Sequence, residues 1–188
     1  MKKNIVKIWM SLALLGLVSG CATVQSEPNS SSVSTSNIEW AFTRENQHPE
    51  EKLIKLINSA QTSIDIAIYS FTKEEIAQAI IDAQKKGISV RVITDEQSSK
   101  NKSQKSLLQK LKNAKVPLKE DTHSGLMHLK VTIVDNEIIS TGSYNYTNAA
   151  SNKNDEVLLI IHDKTIANEW SNVFNKMWND SKKFTEYK

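Results

Sequence analysis

The stretch from His128 to Asn145, HLKVTIVDNEIISTGSYN, decides how this chain is read. Leu129–Val134 and Glu137–Thr141 are short apolar runs joined at Asp135-Asn136, a turn dipeptide. The reading is therefore strand, turn, strand, closed by the small-residue turn Gly142-Ser143-Tyr144-Asn145. On an extended chain residues i and i+2 share a face, so His128 and Lys130 project together. That pairs a potential nucleophile with a fixed positive charge, an arrangement suited to chemistry on a phosphate. A lone histidine beside a strand is more often structural or solvated. The spacing H-x-K-x4-D-x6-G-S-x-N, however, constrains six positions in eighteen residues, which a chance histidine does not bring with it.

Outward from this stretch the pattern alternates between strands and helices. A strand is expected over Ile38–Phe42. A helix follows Pro49, with Glu50 and Glu51 in its first turn and Leu53, Ile54, Leu56 and Ile57 on its apolar face. Ile64–Tyr69 reads as a buried strand and Lys73–Lys86 as a helix stopped by Gly87. Ile88–Thr94 is a further strand. Ser103–Ala114 is helical, and Val116–Lys119 is short and extended. After the central stretch, Asn145–Ala150 forms a helical turn, Glu156–Ile161 a strand and Lys164–Asn179 a terminal helix. Such alternation predicts an α/β domain, with a mixed, largely parallel β-sheet sandwiched between helices. Trp170, Phe174 and Trp178 recur at i, i+4 and i+8, a stripe that marks core or subunit interface.

The central stretch resembles the HKD motif of the phospholipase D superfamily. The resemblance extends to Met127 before the histidine, to Thr147-Asn148-Ala149-Ala150, and to Glu156. Upstream, Ile64–Thr72 and Val90–Asp95 are similar to the family's early strands. It covers Asn37 to Asp180 and is nearest to small bacterial endonucleases with a single HKD motif per chain. Val157 departs from the Asn that many relatives carry after the Glu. The resemblance implies phosphodiester hydrolysis through a covalent phosphohistidine, with His128 as nucleophile or as acid/base. It also implies that Lys130 and Asn145 hold the non-bridging oxygens and that Ser143 adds a hydroxyl donor. Glu156 would accept from the far nitrogen of His128. Asp135 is carried over with the catalytic set, although its place at a strand end also fits a residue that holds the turn together. With one motif per chain, the resemblance further implies a homodimer.

The N-terminus adds an expectation about compartment. Met1-Lys2-Lys3-Asn4, the apolar run Ile5–Val18 and Ser19-Gly20-Cys21 form a positive n-region, an h-region and a small-residue cleavage site. The apolar run is shorter than the ~18 residues that favour a spanning helix. Residues 1–20 are therefore read as a signal peptide. Val18-Ser19-Gly20-Cys21 resembles a lipobox, which makes Cys21 a lipidation site and the protein an exported, membrane-anchored bacterial lipoprotein. Ser-, Asn- and Thr-rich residues 21–36 read as a tether, and residues 37–188 as the folded domain. Cys21 is the only cysteine, so no intramolecular disulfide exists. The formal charge of +3 falls to about zero once Lys2, Lys3 and Lys7 leave with the leader.

No cofactor is expected, and no metal site is evident. His48, His123 and His162 are scattered, without cysteine partners or HExxH spacing. His123, just before the motif, fits either the cleft or a surface loop. Lys100, Lys102, Lys105, Lys110, Lys112, Lys115 and Lys119 lie in a segment free of acids from Gln97 onward. They fit either the solvated face of a helix or a surface that tracks a nucleic-acid backbone. Three functions compete: an endonuclease on DNA or RNA, a lipid phosphodiesterase or phosphatidyltransferase, and a non-catalytic nucleic-acid-binding module.

Overall fold

The computed structural model describes residues 37–188. The expected signal peptide, Cys21 and the tether to residue 36 lie outside the described residues. Strands β1 (Ile38–Phe42), β2 (Ser63–Ile68), β3 (Ser89–Thr94), β4 (Leu118–Asp121), β5 (Lys130–Val134), β6 (Ile138–Gly142), β7 (Val157–His162) and β8 (Phe184–Glu186) form one sheet. Helices α1 (Pro49–Ser59), α2 (Glu74–Lys85), α3 (Glu96–Ser99), α4 (Lys102–Asn113), α5 (Asn148–Asn152) and α6 (Lys164–Asn179) connect them. A 3₁₀ turn at Thr43–Glu45, the short α3 and β8 are additions that the sequence pattern did not announce.

Sheet order is β1-β7-β6-β5-β2-β3-β4-β8. The sandwich and the mixed sheet are as expected, but parallel pairing is confined to β2–β3 and β3–β4. The other five pairings are antiparallel, which corrects the expectation of a largely parallel sheet. Helical crossovers between neighbouring strands, which parallel pairs need, occur only around β3; α1 and α6 link strands that are not neighbours. The link from β5 to β6 is a tight turn in which Asp135 and Asn136 both have φ of 55° and Glu137 N–H donates to Val134 O at 2.9 Å. Such a left-handed turn suits a hairpin and so enforces antiparallel pairing.

The side-chain period of two sorts the sheet residues between two cores. On one face, Ile64, Ile66 and Ile68 pack with Leu53 and Ile57 of α1, Ile76 and Ile80 of α2, and Leu107 and Leu111 of α4. On the other, Ala67, Val131, Ile133 and Ile139 pack with Ala167 and Phe174 of α6, flanked by the half-buried Trp170 and Trp178. The aromatic stripe thus serves the core. Arg91 locks this face: its guanidinium makes two 2.7 Å bonds to Asp65 and one of 2.8 Å to Asn175, and stacks on Phe174 and Trp178.

Candidate active site

Ile68 at the end of β2 lies opposite Lys130 at the start of β5, and Tyr69 N–H donates to Leu129 O at 2.9 Å just beyond. This junction carries His128. The Lys130 side chain, only 7% exposed, folds back so that Nζ lies 3.0 Å from His128 Nδ1, 3.3 Å from Nε2 and 2.9 Å from His128 O. An ammonium offers only donors, so the ring nitrogen that it engages acts as an acceptor. The Tyr69 ring packs 4.4 Å from the imidazole, centroid to centroid, with Lys130 Nζ 5.1 Å from its centre. Burial pushes the Lys130 ammonium below the ordinary lysine range, and the charge of Glu156 opposes that shift.

The motif's second half folds as a scaffold. Gly142 has φ of 137°, and a Cβ there would lie 2.1 Å from Val157 O, so a side chain is barred. This close approach lets Ser143 N–H and Tyr144 N–H both donate to Val157 O. Ser143 Oγ accepts from Val157 N–H at 3.1 Å, which fixes the hydroxyl and leaves its proton free to donate. Asn145 Oδ1 accepts from Ser70 N–H at 3.2 Å; with the oxygen so engaged, the amide NH₂ is the group left to meet a phosphate oxygen. Tyr144 and Tyr146 are fully buried beneath, bonded to Ser151 and Thr132. Burial raises both phenols, that of Tyr146 to about 12.

Two expected roles need correction. Glu156 accepts from Asn154 Nδ2 at 3.0 Å, and both ring nitrogens of His128 face Lys130 instead. Glu156 therefore acts on the site here through the charge of Lys130. Asp135 sits at the far end of β5, roughly 16 Å from Lys130 at about 3.3 Å per residue. Its Oδ1 accepts from Thr62 N–H, Thr62 Oγ1 and Ser63 N–H, and its Oδ2 from Gln61 N–H, at 2.8–2.9 Å. Burial opposes its ionisation, but these bonds outweigh that and hold the carboxyl below the ordinary aspartate range. Asp135 is a clamp on the strand β2 entry.

Three supporting residues went unnoticed in the sequence. Tyr69 is one. Gln104 is fully buried: its Oε1 accepts from Phe71 N–H, and its Nε2 donates to Tyr69 O and Thr94 Oγ1. Asp95, also buried, caps α3 through Ser98 N–H and accepts from Met127 N–H with its other oxygen, fixing the residue before His128. A polar residue at an apolar helix position was the available signal for Gln104. His123 lies 3.6 Å from the buried Asp121 and against Phe184, on the loop that leads to the motif. Among the described residues, no group of three or more His, Cys, Asp or Glu is placed to hold a metal ion.

Three concavities border the candidate residues, one of about 380 Å³ being lined by Ser143, Glu156 and Arg44. An apolar groove of about 320 Å³ opens beside His128 and Lys130, walled by Leu129, Trp170, Val173 and Phe174. A polar trench of about 680 Å³ runs from Tyr69 and Asn145 to Gln97, Ser98 and Asn101 at the α3–α4 junction.

A mixed α/β sheet thus presents His128, Lys130 and Asn145 around the β2–β5 junction. Comparison with known proteins agrees. The family model described as "Cardiolipin synthase, PLD-like domain" matches residues 53–178, and the chain belongs to this phospholipase D-like family. It is 32% identical to the mitochondrial cardiolipin hydrolase of Xenopus tropicalis over 69% of this chain and 60% of the relative. It is 33% identical to a phospholipase D of Rickettsia prowazekii over 74% of this chain and 67% of that one. The match thus spans under two thirds of the first relative's length. The fold superposes on Nuc from Salmonella typhimurium, a phospholipase D family member, with a TM-score of 0.75, 30% identity, and coverage of 80% of this chain and 97% of that one. The residues matched to the family model run from within α1 to within α6 and take in the whole HKD-like stretch.

Proposed function

We propose that the protein is an exported, metal-independent endonuclease that cleaves DNA, and RNA as a second substrate, with little sequence preference. The observation that carries this is the site's composition: His128 and Lys130 in contact, Asn145 with its NH₂ free, and a surface of amides and hydroxyls leading away. An imidazole nitrogen attacks phosphorus, forming the P–N bond as the P–O bond to the leaving group breaks. A second imidazole protonates that oxygen. Water then attacks, the second imidazole takes its proton, and the P–N bond breaks. Lys130 and Asn145 stabilise the phosphoryl oxygens throughout.

One chain supplies one such imidazole at the motif. We therefore read the active unit as a two-fold homodimer, in which His128 faces His128 of the partner subunit across the phosphate. The exposed Leu129 and Val173 beside the site suit burial in that interface. Residues 1–20 and Cys21 are read as export signal and lipid anchor.

The apolar groove favours a second reading, a lipid phosphodiesterase with an acyl chain between Leu129 and α6. Plasmid cleavage assayed beside phosphatidylcholine hydrolysis, in EDTA, separates the two. DNA cleavage that persists in chelator supports the endonuclease. Lipid hydrolysis without DNA cleavage overturns it, and loss in EDTA with recovery in Mg²⁺ overturns the metal-free chemistry.

A further inference from the structure

Resting on the endonuclease reading, we propose that the polar trench is a backbone-tracking subsite, which holds the sugar–phosphate chain of a polynucleotide beyond the scissile phosphate. The trench shares no lining residue with the apolar groove. Its volume of about 680 Å³ exceeds what one phosphate needs and falls within the roughly 300–1,000 Å³ of ligand sites. Its side-chain lining is amide and hydroxyl, with Tyr69 and Ala149, and includes no carboxylate. An acyl chain there would strip water from these groups and return no hydrogen bond. A phosphodiester chain returns acceptors at every unit.

Two asparagines of the trench lining have their oxygens held by the fold. Asn145 has its oxygen held by Ser70 N–H. Asn101 caps α4 with its Oδ1, accepting from Ser103 N–H and Gln104 N–H, so its NH₂ is likewise the group left for a ligand. Asn145 belongs to the catalytic motif and Asn101 does not, so Asn101 grips a neighbouring unit of the same chain. Lys102 and Lys105 adjoin Asn101, are exposed, and form no ion pair among the described residues. Lys100 by contrast is tied to Glu96 at 2.9 Å and Lys110 to Glu74 at 2.8 Å. Contacts of this kind reach backbone rather than base edges, which gives strand binding without sequence preference.

The test uses the full chain and two variants. Asn101→Asp keeps the helix cap, because aspartate caps as well as asparagine, but replaces the NH₂ with a negative oxygen. Expected is a fall of about tenfold in kcat/KM for a single-stranded oligonucleotide relative to that for bis(p-nitrophenyl) phosphate, which has no neighbouring sugar–phosphate unit to offer Asn101. Lys102→Gln with Lys105→Gln is expected to flatten the salt dependence of oligonucleotide binding by roughly 1.4 in log–log slope, at about 0.7 per lost contact. Melting curves matched to the parent confirm that both variants fold. Oligonucleotide cleavage by the parent with an unchanged ratio in Asn101→Asp and an unchanged slope in the lysine variant refutes the trench and spares the nuclease. Hydrolysis of the small diester with no oligonucleotide cleavage refutes both. Capture by phosphatidylglycerol vesicles that Asn101→Asp abolishes, with oligonucleotide binding untouched, assigns the trench to lipid and overturns the proposal.

Discussion

Replacing Asp135 by Ala separates a structural clamp from a catalytic acid. The carboxylate receives four hydrogen bonds from Gln61, Thr62 and Ser63. A hydrogen bond to a charged group is worth roughly 1.5–3 kcal/mol, but Asp135 is half-exposed, and water takes over much of what the side chain leaves. A net loss of about 3 kcal/mol is expected, which for a domain of this size lowers Tm by roughly 6–12 °C. Urea and thermal unfolding measure the loss, and phosphodiester hydrolysis well below Tm should stay near the parent's. The pH dependence adds an independent check. The Asp135 carboxyl titrates below its unfolded value, so its stabilisation is complete above the unfolded aspartate pKa and fades as pH falls through the folded value. The gap between parent and Asp135→Asn should therefore close on acidification. A variant that melts like the parent yet has lost all hydrolysis would refute the clamp and return Asp135 to the chemistry.

Other perturbations address the junction itself. His128→Ala should abolish hydrolysis with the circular dichroism of the parent, since the exposed imidazole supports no core contact. Lys130→Gln should lower kcat by about 10²–10³-fold. In the parent, the alkaline decline of activity should begin below the pH at which an ordinary lysine deprotonates, because burial favours the neutral amine. Gln104→Leu leaves Phe71 N–H without its acceptor in the core, while Thr94 Oγ1 keeps its bond to Ile68 O; a loss of about 1–3 kcal/mol in urea unfolding is expected, with activity reduced through Tyr69. Val173→Asp should yield a monomer by sedimentation with little activity; full activity in that monomer would exclude a composite site.

Whatever depends on one element alone could be read from the residues of that element. Periodicity placed α6 at Lys164–Asn179 and β1 at Ile38–Phe42 with the observed ends, because the apolar spacing of an element depends only on its own residues. The i, i+2 relation of His128 and Lys130 was legible for the same reason, and Nζ does meet the ring. Partners distant in the chain were not legible. Nothing near Asp135 points to Ser63, 72 residues earlier, and nothing near Gln104 points to Phe71. The sheet order, and with it the antiparallel majority, was likewise decided only on folding. The alternation of strands and helices fixes which segments are strands, whereas neighbours are chosen by which buried faces and unpaired backbone edges meet across the whole domain. That choice brings the end of β2 against the start of β5, and so sets Tyr69 against His128.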